Sequence, residues 1–263
     1  MKVTLITGAS GGIGESFARA LAKKRQNLVL VARQENKLHQ LCDELMLKYG
    51  ITAHYVAVDL NEFEADQRLY HETQKHGMEV DWLINNAGFG SMGDFSELDL
   101  EHELEMVGLN IMVLVALTHR YLQGMRARKS GTIINVSSAA SFQPIPYMAT
   151  YAATKAFVTS FSEAIAEENR QFGIKVLACC PGATATNFFN AAGMTEPFAV
   201  KGVQTPEEVV EETLAAVEKG KTRAITGWTN WLAAHVATIA PNTLVTKAIA
   251  SQLRPRLAKM LKK

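Results

Sequence analysis

Val3-Thr-Leu-Ile-Thr-Gly-Ala-Ser-Gly-Gly-Ile-Gly-Glu15 stands near the start of this 263-residue chain and decides how the rest is read. Val3 to Ile6 form a short apolar run that reads as a buried strand. Gly8, Gly11, Gly12 and Gly14 follow at once, and Ser16 to Leu21 opens a helical pattern. A strand that stops at a glycine turn and feeds a helix N-terminus makes a phosphate cradle. The missing side chains admit a pyrophosphate, and the unpaired N–H groups at the helix start meet its charge. Glycine also serves ordinary turns, so the cluster alone leaves a plain turn as an equal reading.

Beyond this stretch the same rhythm repeats. Apolar strands are expected at Leu28–Val31, Thr52–Val58, Trp82–Ile84, Thr132–Val136 and Ile174–Ala178, with a seventh at Thr222–Thr226. Helical patterns fall between them at 34–48, 62–76, 151–171 and 205–219, and a long helix capped by Asp99 reaches about Arg126 with Leu104, Val107, Ile111, Leu114 and Val115 on its apolar face. Strand–helix alternation at this spacing predicts an α/β fold, a three-layer, Rossmann-like, doubly wound structure on a parallel sheet of seven strands. Thr205-Pro206-Glu207-Glu208 is a helix start with a capping box. The segment 187–204 lacks periodicity and carries Phe188, Phe189, Met194 and Phe198; it reads equally as a lid over an apolar ligand or as an excursion packed on the core. Residues 1–227 are expected to form one domain. From Trp228 to the end an extension with Trp228, Trp231, Leu232 and Val236 on one face would pack on the domain, on an oligomer interface or at a membrane surface.

Composition narrows the function classes. Apolar residues make up 48% and charged ones 20%, and 27 Lys+Arg against 26 Asp+Glu leave a formal charge of +1, which gives no reason to expect a nucleic-acid partner. Cys42, Cys179 and Cys180 lack metal-ligand spacing and read as reduced, packed thiols in a cytoplasmic protein; Cys179 and Cys180, adjacent in a strand, would point to opposite faces. No signal peptide precedes the first strand, and 231–250 carries His235, Pro241, Asn242 and Lys247, so it makes a poor membrane span. No His or Cys pattern suggests a metal.

In an open parallel sheet, ligands bind outside the carboxyl ends of the strands. The residues ending the strands here are Gly8, Arg33, Asp59, Asn86, Ser138 and Pro181-Gly182, all on one rim. A dinucleotide site usually has a carboxylate at the second position, for the adenosine ribose. Arg33 stands there instead, and a guanidinium suits an extra 2′-phosphate. Asp59 would accept from adenine or cap the following helix. Tyr151 and Lys155 are four apart and share a helix face. An ammonium beside a phenol favours the phenolate and lowers its pKa from about 10. Ser138 would hydrogen-bond a carbonyl oxygen that Tyr151 protonates as a hydride arrives.

These motifs together resemble the short-chain dehydrogenase/reductase family in its compact, NADP-preferring form, over about residues 3–227. The resemblance rests on Thr7-Gly-Ala-Ser-Gly-Gly-Ile-Gly14, Asp59, Asn85-Asn-Ala-Gly88, Asn110, Ser138, Tyr151-Ala-Ala-Thr-Lys155 and Pro181-Gly182. It implies a cofactor turn of Gly8, Gly12 and Gly14 with a backbone contact from Ile13. Ser10 stands where some NADP-preferring relatives carry a base, which leaves Arg33 as the main 2′-phosphate contact. Asp59 and Leu60 would meet adenine, the Asn86-Ala87-Gly88 turn would support the adenosine half, and Pro181, Gly182 and Thr186 would contact the nicotinamide end. Ser138, Tyr151 and Lys155 would be the catalytic set, with Lys155 also on the nicotinamide ribose and Asn110 holding a water in a proton relay. The activity implied is an oxidoreductase that transfers hydride between NADP(H) and a carbonyl or alcohol substrate, in a homodimer or homotetramer. The apolar 187–204 segment and Phe142 favour a bulky, apolar substrate. A non-enzymatic NADP-sensing or protein- or membrane-interacting protein, or an epimerase or dehydratase of the same fold, are the competing readings.

Overall fold

Along the first strand, β1 (Lys2–Thr7), alternate side chains enter two different cores: Val3 and Leu5 point to one side of the sheet and Ile6 to the other. The computed structural model, which describes residues 1–188 and 202–260, extends this pattern through α1 (Gly12–Lys23), β2 (Leu28–Ala32), α2 (Glu35–Tyr49), β3 (Ala53–Ala57), α3 (Ala65–Lys75) and β4 (Glu79–Asn85). Next come α4 (Leu100–Val107), a π-helical stretch (Gly108–Val113), α5 (Leu114–Arg128), β5 (Gly131–Val136), α6 (Ala149–Asn169) and β6 (Ile174–Cys180). The chain ends with α7 (Pro206–Glu218), β7 (Arg223–Ile225), α8 (Trp228–Ile239) and α9 (Asn242–Met260).

The expected α/β fold with a seven-stranded parallel sheet is present, in the order β3-β2-β1-β4-β5-β6-β7. One core holds Phe17, Leu38 and Leu214 from α1, α2 and α7; the other holds Leu69, Tyr121 and Ile165 from α3, α5 and α6. The chain builds outward from β1 to β3 and then returns to place β4 beside β1. The crevice of a doubly wound sheet opens at that reversal.

Several elements differ in detail from the sequence pattern. α3 begins at Ala65 rather than at 62, because Glu62 to Glu64 make a turn after β3 in which Glu64 adopts φ +56°. Asp99 caps its helix as expected, accepting from the His102 N–H at 3.2 Å. The side of that helical run facing the protein, however, is Glu103, Met106, Asn110, Leu114 and Leu117, while Leu104 is exposed. Of the expected face Leu114 is buried, but apolarity alone missed Glu103 and Asn110: Asn110 is admitted inward because Thr154 and the Phe89 backbone pair with it, and one Glu103 carboxylate oxygen accepts from Ser91. The capping box of α7 is formed by Thr205 and Glu208. Most of the expected lid, residues 189–201, lies outside the described residues. The apolar face of the extension is turned outward, with Trp228 77% exposed, whereas the small Ala234 and Ala237 are the buried side chains of α8.

Candidate active site

Three strand ends meet at the glycine turn. Gly8 has φ +65°, open to glycine at little cost, and a Cβ at Gly14 would stand 2.3 Å from the Gly8 carbonyl oxygen. Asn86 at the end of β4 locks this turn: its amide donates to the Thr7 oxygen at 2.9 Å and the Gly8 oxygen at 3.2 Å, and Thr7 Oγ1 accepts from the Asn86 and Ala87 N–H groups at 2.9 Å. The turn delivers the chain into α1, whose N-cap is Gly11 with no side-chain cap. The first-turn N–H groups therefore lack the partner a Ser or Asp would supply, and a Cβ at Gly11 would meet nothing within 4 Å. Open space in front of uncapped donors is what a phosphate group requires.

This cradle is one end of a cavity of about 660 Å³. Ser10, Gly12, Ile13, Asn86 and Gly88 line it there, and Ser138, Tyr151, Lys155, Pro181, Gly182 and Thr186 line it further along. Residues as far apart in the chain as Ser10 and Thr186 thus face one space because β1, β4, β5 and β6 all end on the same edge.

Tyr151 and Lys155 sit on α6 and are both buried. Burial pushes the Tyr151 phenol up to about 12, with the Ser138 hydroxyl pulling the other way. It brings the Lys155 ammonium down to about 8. The expected lowering of the tyrosine by its lysine is not seen here: Lys155 Nζ donates to the Val136 carbonyl at 2.9 Å and lies 5.8 Å from the Tyr151 ring centre, and burial sets the direction of the shift. A phenol with this pKa is protonated at neutral pH, which suits an acid. Ser138 Oγ accepts from the Ala140 N–H at 3.1 Å, which fixes the hydroxyl at the end of β5. Ser137 donates to the Lys155 carbonyl at 2.7 Å and tethers α6 to the same strand.

Asn110 lies beneath the cavity lining. Its amide donates to the Phe89 oxygen and to Thr154 Oγ1, both at 3.0 Å, and its oxygen accepts from the Phe89 N–H at 3.2 Å. Thr154 in turn donates to the Tyr151 carbonyl at 2.8 Å. A Cβ at Gly88 would lie 2.7 Å from Asn110 Oδ1 and 3.4 Å from Lys155 Nζ, so the glycine keeps these two groups facing each other. The π-helical stretch containing Asn110 is a deviation often found where a functional side chain must be aimed.

Other expected residues stand apart from the cavity. Arg33 is 76% exposed and pairs with Asp59 at 3.5 Å. Asp59 Oδ1 accepts from the Asn61 N–H, the turn-capping alternative, and the Leu60 side chain is buried in the core. Neither Arg33, Asp59 nor Leu60 lines the cavity, whereas Gln34 and Lys37 do. Lys37 is not legible from the strand end: it stands in the first turn of the next helix, where a side chain points back toward the N-terminus. Phe142 is also not in the lining; its ring lies under the Arg223 guanidinium at 5.4 Å. The missed opposite wall comes from α8 and α9 with Asn230, Ala233, Ala234, Ile249 and Leu253, together with Met148. Nothing in their sequence marks them as facing a ligand. Cys179 and Cys180 do point apart, toward Thr213 and Thr159, and burial pushes both thiols up, to about 12 and about 11.

A family model described as short chain dehydrogenase matches residues 2–197. The chain belongs to the short-chain dehydrogenase family. It carries that family's NADP(H)-binding fold, and it is an oxidoreductase acting between NADP(H) and a carbonyl/alcohol pair. Among individual short-chain dehydrogenases it is 32% identical over 219 residues to the very-long-chain 3-oxoacyl-CoA reductase of Macaca fascicularis, a match covering 81% of this chain and 67% of that protein. Matches to the mouse and rat reductases of that name span 59% of their length. It is 30% identical over 234 residues to the 7beta-hydroxysteroid dehydrogenase of Mediterraneibacter gnavus, covering 88% of each. A short-chain dehydrogenase from Sphingobium yanoikuyae, solved in complex with NADPH, superposes with a TM-score of 0.82 at 29% identity, over 90% of this chain and 93% of that one. The uncapped α1 N-terminus, the glycine-rich turn and the cavity size fit a dinucleotide of this kind.

Proposed function

We propose that this short-chain dehydrogenase reduces a bulky, apolar ketone or aldehyde with NADPH, using Tyr151 as the acid. The observation that carries the reading is the single cavity joining the phosphate cradle to Ser138, Tyr151 and Lys155. Bound NADPH supplies the hydride. Gly8, Ser10, Gly12, Ile13 and Gly14 hold the pyrophosphate, Asn86, Ala87 and Gly88 flank the adenosine half, and Pro181, Gly182 and Thr186 meet the nicotinamide end. Arg33 and Lys37 share the 2′-phosphate; Lys37 from within the cavity supports this, and Asp59 and Leu60 bound the adenine only from outside the lining. Ser138 orients the substrate oxygen and steadies its growing negative charge, and Tyr151 Oη gives it a proton. Lys155, with a pKa near 8, returns a proton toward Tyr151, and Asn110, facing it across Gly88, positions the water that feeds it.

The apolar wall of Met148, Ile249 and Leu253 supports a substrate with hydrocarbon bulk, as do relatives named for acyl-CoA and steroid substrates. Residues 1–227 act as one catalytic domain that the 228–263 extension completes. The exposed Leu104, Met112 and Phe157 support a homo-oligomer built on the α4–α6 surface. Three buried, unpaired cysteines support a cytoplasmic setting, and among the described residues no helix is long and apolar enough to cross a membrane. The test is NADPH consumption across a panel of ketones and aldehydes, with NADH in parallel. Turnover of bulky ketones with preference for NADPH is expected; NADPH binding without turnover of any carbonyl compound would overturn the reading.

A further inference from the structure

α8 has two faces. The inner one lends Ala233 and Ala234 to the cavity. The outer one carries Trp228, Trp231, Leu232, Val236 and Ile239, spaced as a single stripe along three helical turns. Trp228 is 77% and Ile239 86% exposed, and Leu244 at the start of α9 is exposed as well. So much contiguous apolar surface, with two indoles in it, marks a contact.

The charge around the stripe says with what. From Lys219 to Lys263 the chain carries nine lysines and arginines and not one aspartate or glutamate, whereas residues 1–218 hold 18 basic side chains against 26 acidic ones. A balanced net charge thus conceals a strongly basic C-terminal segment on an acidic body. Lys219, Lys221 and Arg223 line a pocket of about 330 Å³ together with Trp231 and His235. Glu212 lines it too but accepts from Gln204 and the Gly227 N–H, and two other acids of this face are engaged: Glu218 pairs with Lys24 at 2.7 Å and Glu163 with Arg223 at 3.3 Å. Lys219 and Lys221 have no ion-pair partner among the described residues.

We propose that this face docks the protein peripherally on an anionic lipid bilayer, with α8 lying in the plane of the interface. Indoles settle at headgroup level, Leu232, Val236 and Ile239 reach the acyl boundary, and the lysines meet lipid phosphates. A second copy fits less well, since two-fold pairing of the same stripe brings two basic segments together. Docking sets the α8–α9 wall of the cavity against the membrane, where apolar carbonyl compounds dissolve; that consequence, unlike the docking itself, rests on the proposed substrate class.

Flotation of the full chain with vesicles tests this without any substrate. Binding is expected to phosphatidylcholine vesicles containing about one-third phosphatidylglycerol, not to phosphatidylcholine alone, with a blue shift of tryptophan emission and weakening by salt. Lys219→Gln with Lys221→Gln weakens it roughly fivefold per charge. Trp228→Ser with Ile239→Ser weakens it at least about tenfold, with NADPH affinity and melting temperature unchanged. Absence of flotation at low salt, or flotation of both variants equal to that of the unaltered protein, overturns the proposal. So does a dimer that Trp228→Ser with Ile239→Ser dissociates while the unaltered protein ignores vesicles; that result assigns the face to a second copy.

Discussion

The two walls of the cavity are built in opposite ways. On the sheet side, the polar groups are tied into a hydrogen-bonded network: Asn86 with Thr7 and Gly8, Lys155 with Val136, Ser137 with Lys155 and Thr159, Asn110 with Phe89 and Thr154. On the helix side Ala233, Ala234, Ile249 and Leu253 fill space, and Asn230, bonded to the Thr226 carbonyl at 2.9 Å, is the polar member. A matched polar network has one geometry, because each broken pair leaves a buried group unsatisfied. An apolar wall requires only volume and tolerates exchange. On the proposed function, the chemistry is therefore fixed on the sheet, and choice among substrates falls to the two helices beyond it.

Tyr151→Phe strikes the polar wall hardest. NADPH binding persists while turnover falls by roughly 10²–10⁴-fold or beyond detection; unchanged turnover on a verified substrate removes Tyr151 from the mechanism. Lys155→Met tests the same wall through pH. With its folded pKa lowered to about 8, buried Lys155 binds fewer protons than in the unfolded chain, so its destabilising effect is full below pH 8 and fades as pH rises toward 10.5. The variant loses turnover yet gains stability relative to the unaltered protein below pH 8, and chemical unfolding across pH should show that difference shrinking between pH 8 and 10.5. A pH-independent difference denies the burial effect. Tyr151, raised to about 12, contributes oppositely, losing stability above pH 10.

Asn86→Ala leaves the Gly8 turn unpinned. The expected cost is roughly 2 kcal/mol in stability with about thirtyfold weaker NADPH binding, read by titration calorimetry. Smallest is Leu253→Ala on the apolar wall: KM for a bulky ketone rises roughly fivefold, with kcat and the KM of a small ketone nearly unchanged. Were Leu253→Ala to suppress kcat for every substrate, the division of labour between the walls would not hold.

Much of the polar wall was legible in the residues. The glycine turn, Asn86, Ser138, Tyr151, Lys155 and Pro181-Gly182 stand at strand ends or share a helix face, and strand ends of a parallel sheet converge by topology. Arg33 was legible by position only; its guanidinium turns to Asp59, a local ion pair that strand order does not reveal. The inward face of the α4–α5 run was legible at Leu114 but not at Glu103 and Asn110, which are less apolar than the exposed Leu104 and meet hydrogen-bond partners contributed by other elements. The tyrosine pKa reversed expectation for the same reason: residue spacing shows the neighbouring charge and leaves out the desolvation.

By itself the sequence determined the parallel sheet, the edge on which a site forms and the side chains available there, since these follow from local periodicity and residue chemistry. Only the tertiary structure decided that Lys37 rather than Arg33 enters the cavity, that small and aliphatic residues of α8 and α9 close it, and that the tryptophans of α8 face out. Those outcomes depend on how helices far apart in the chain pack against one another, and packing is settled by volume and partners that no local pattern encodes.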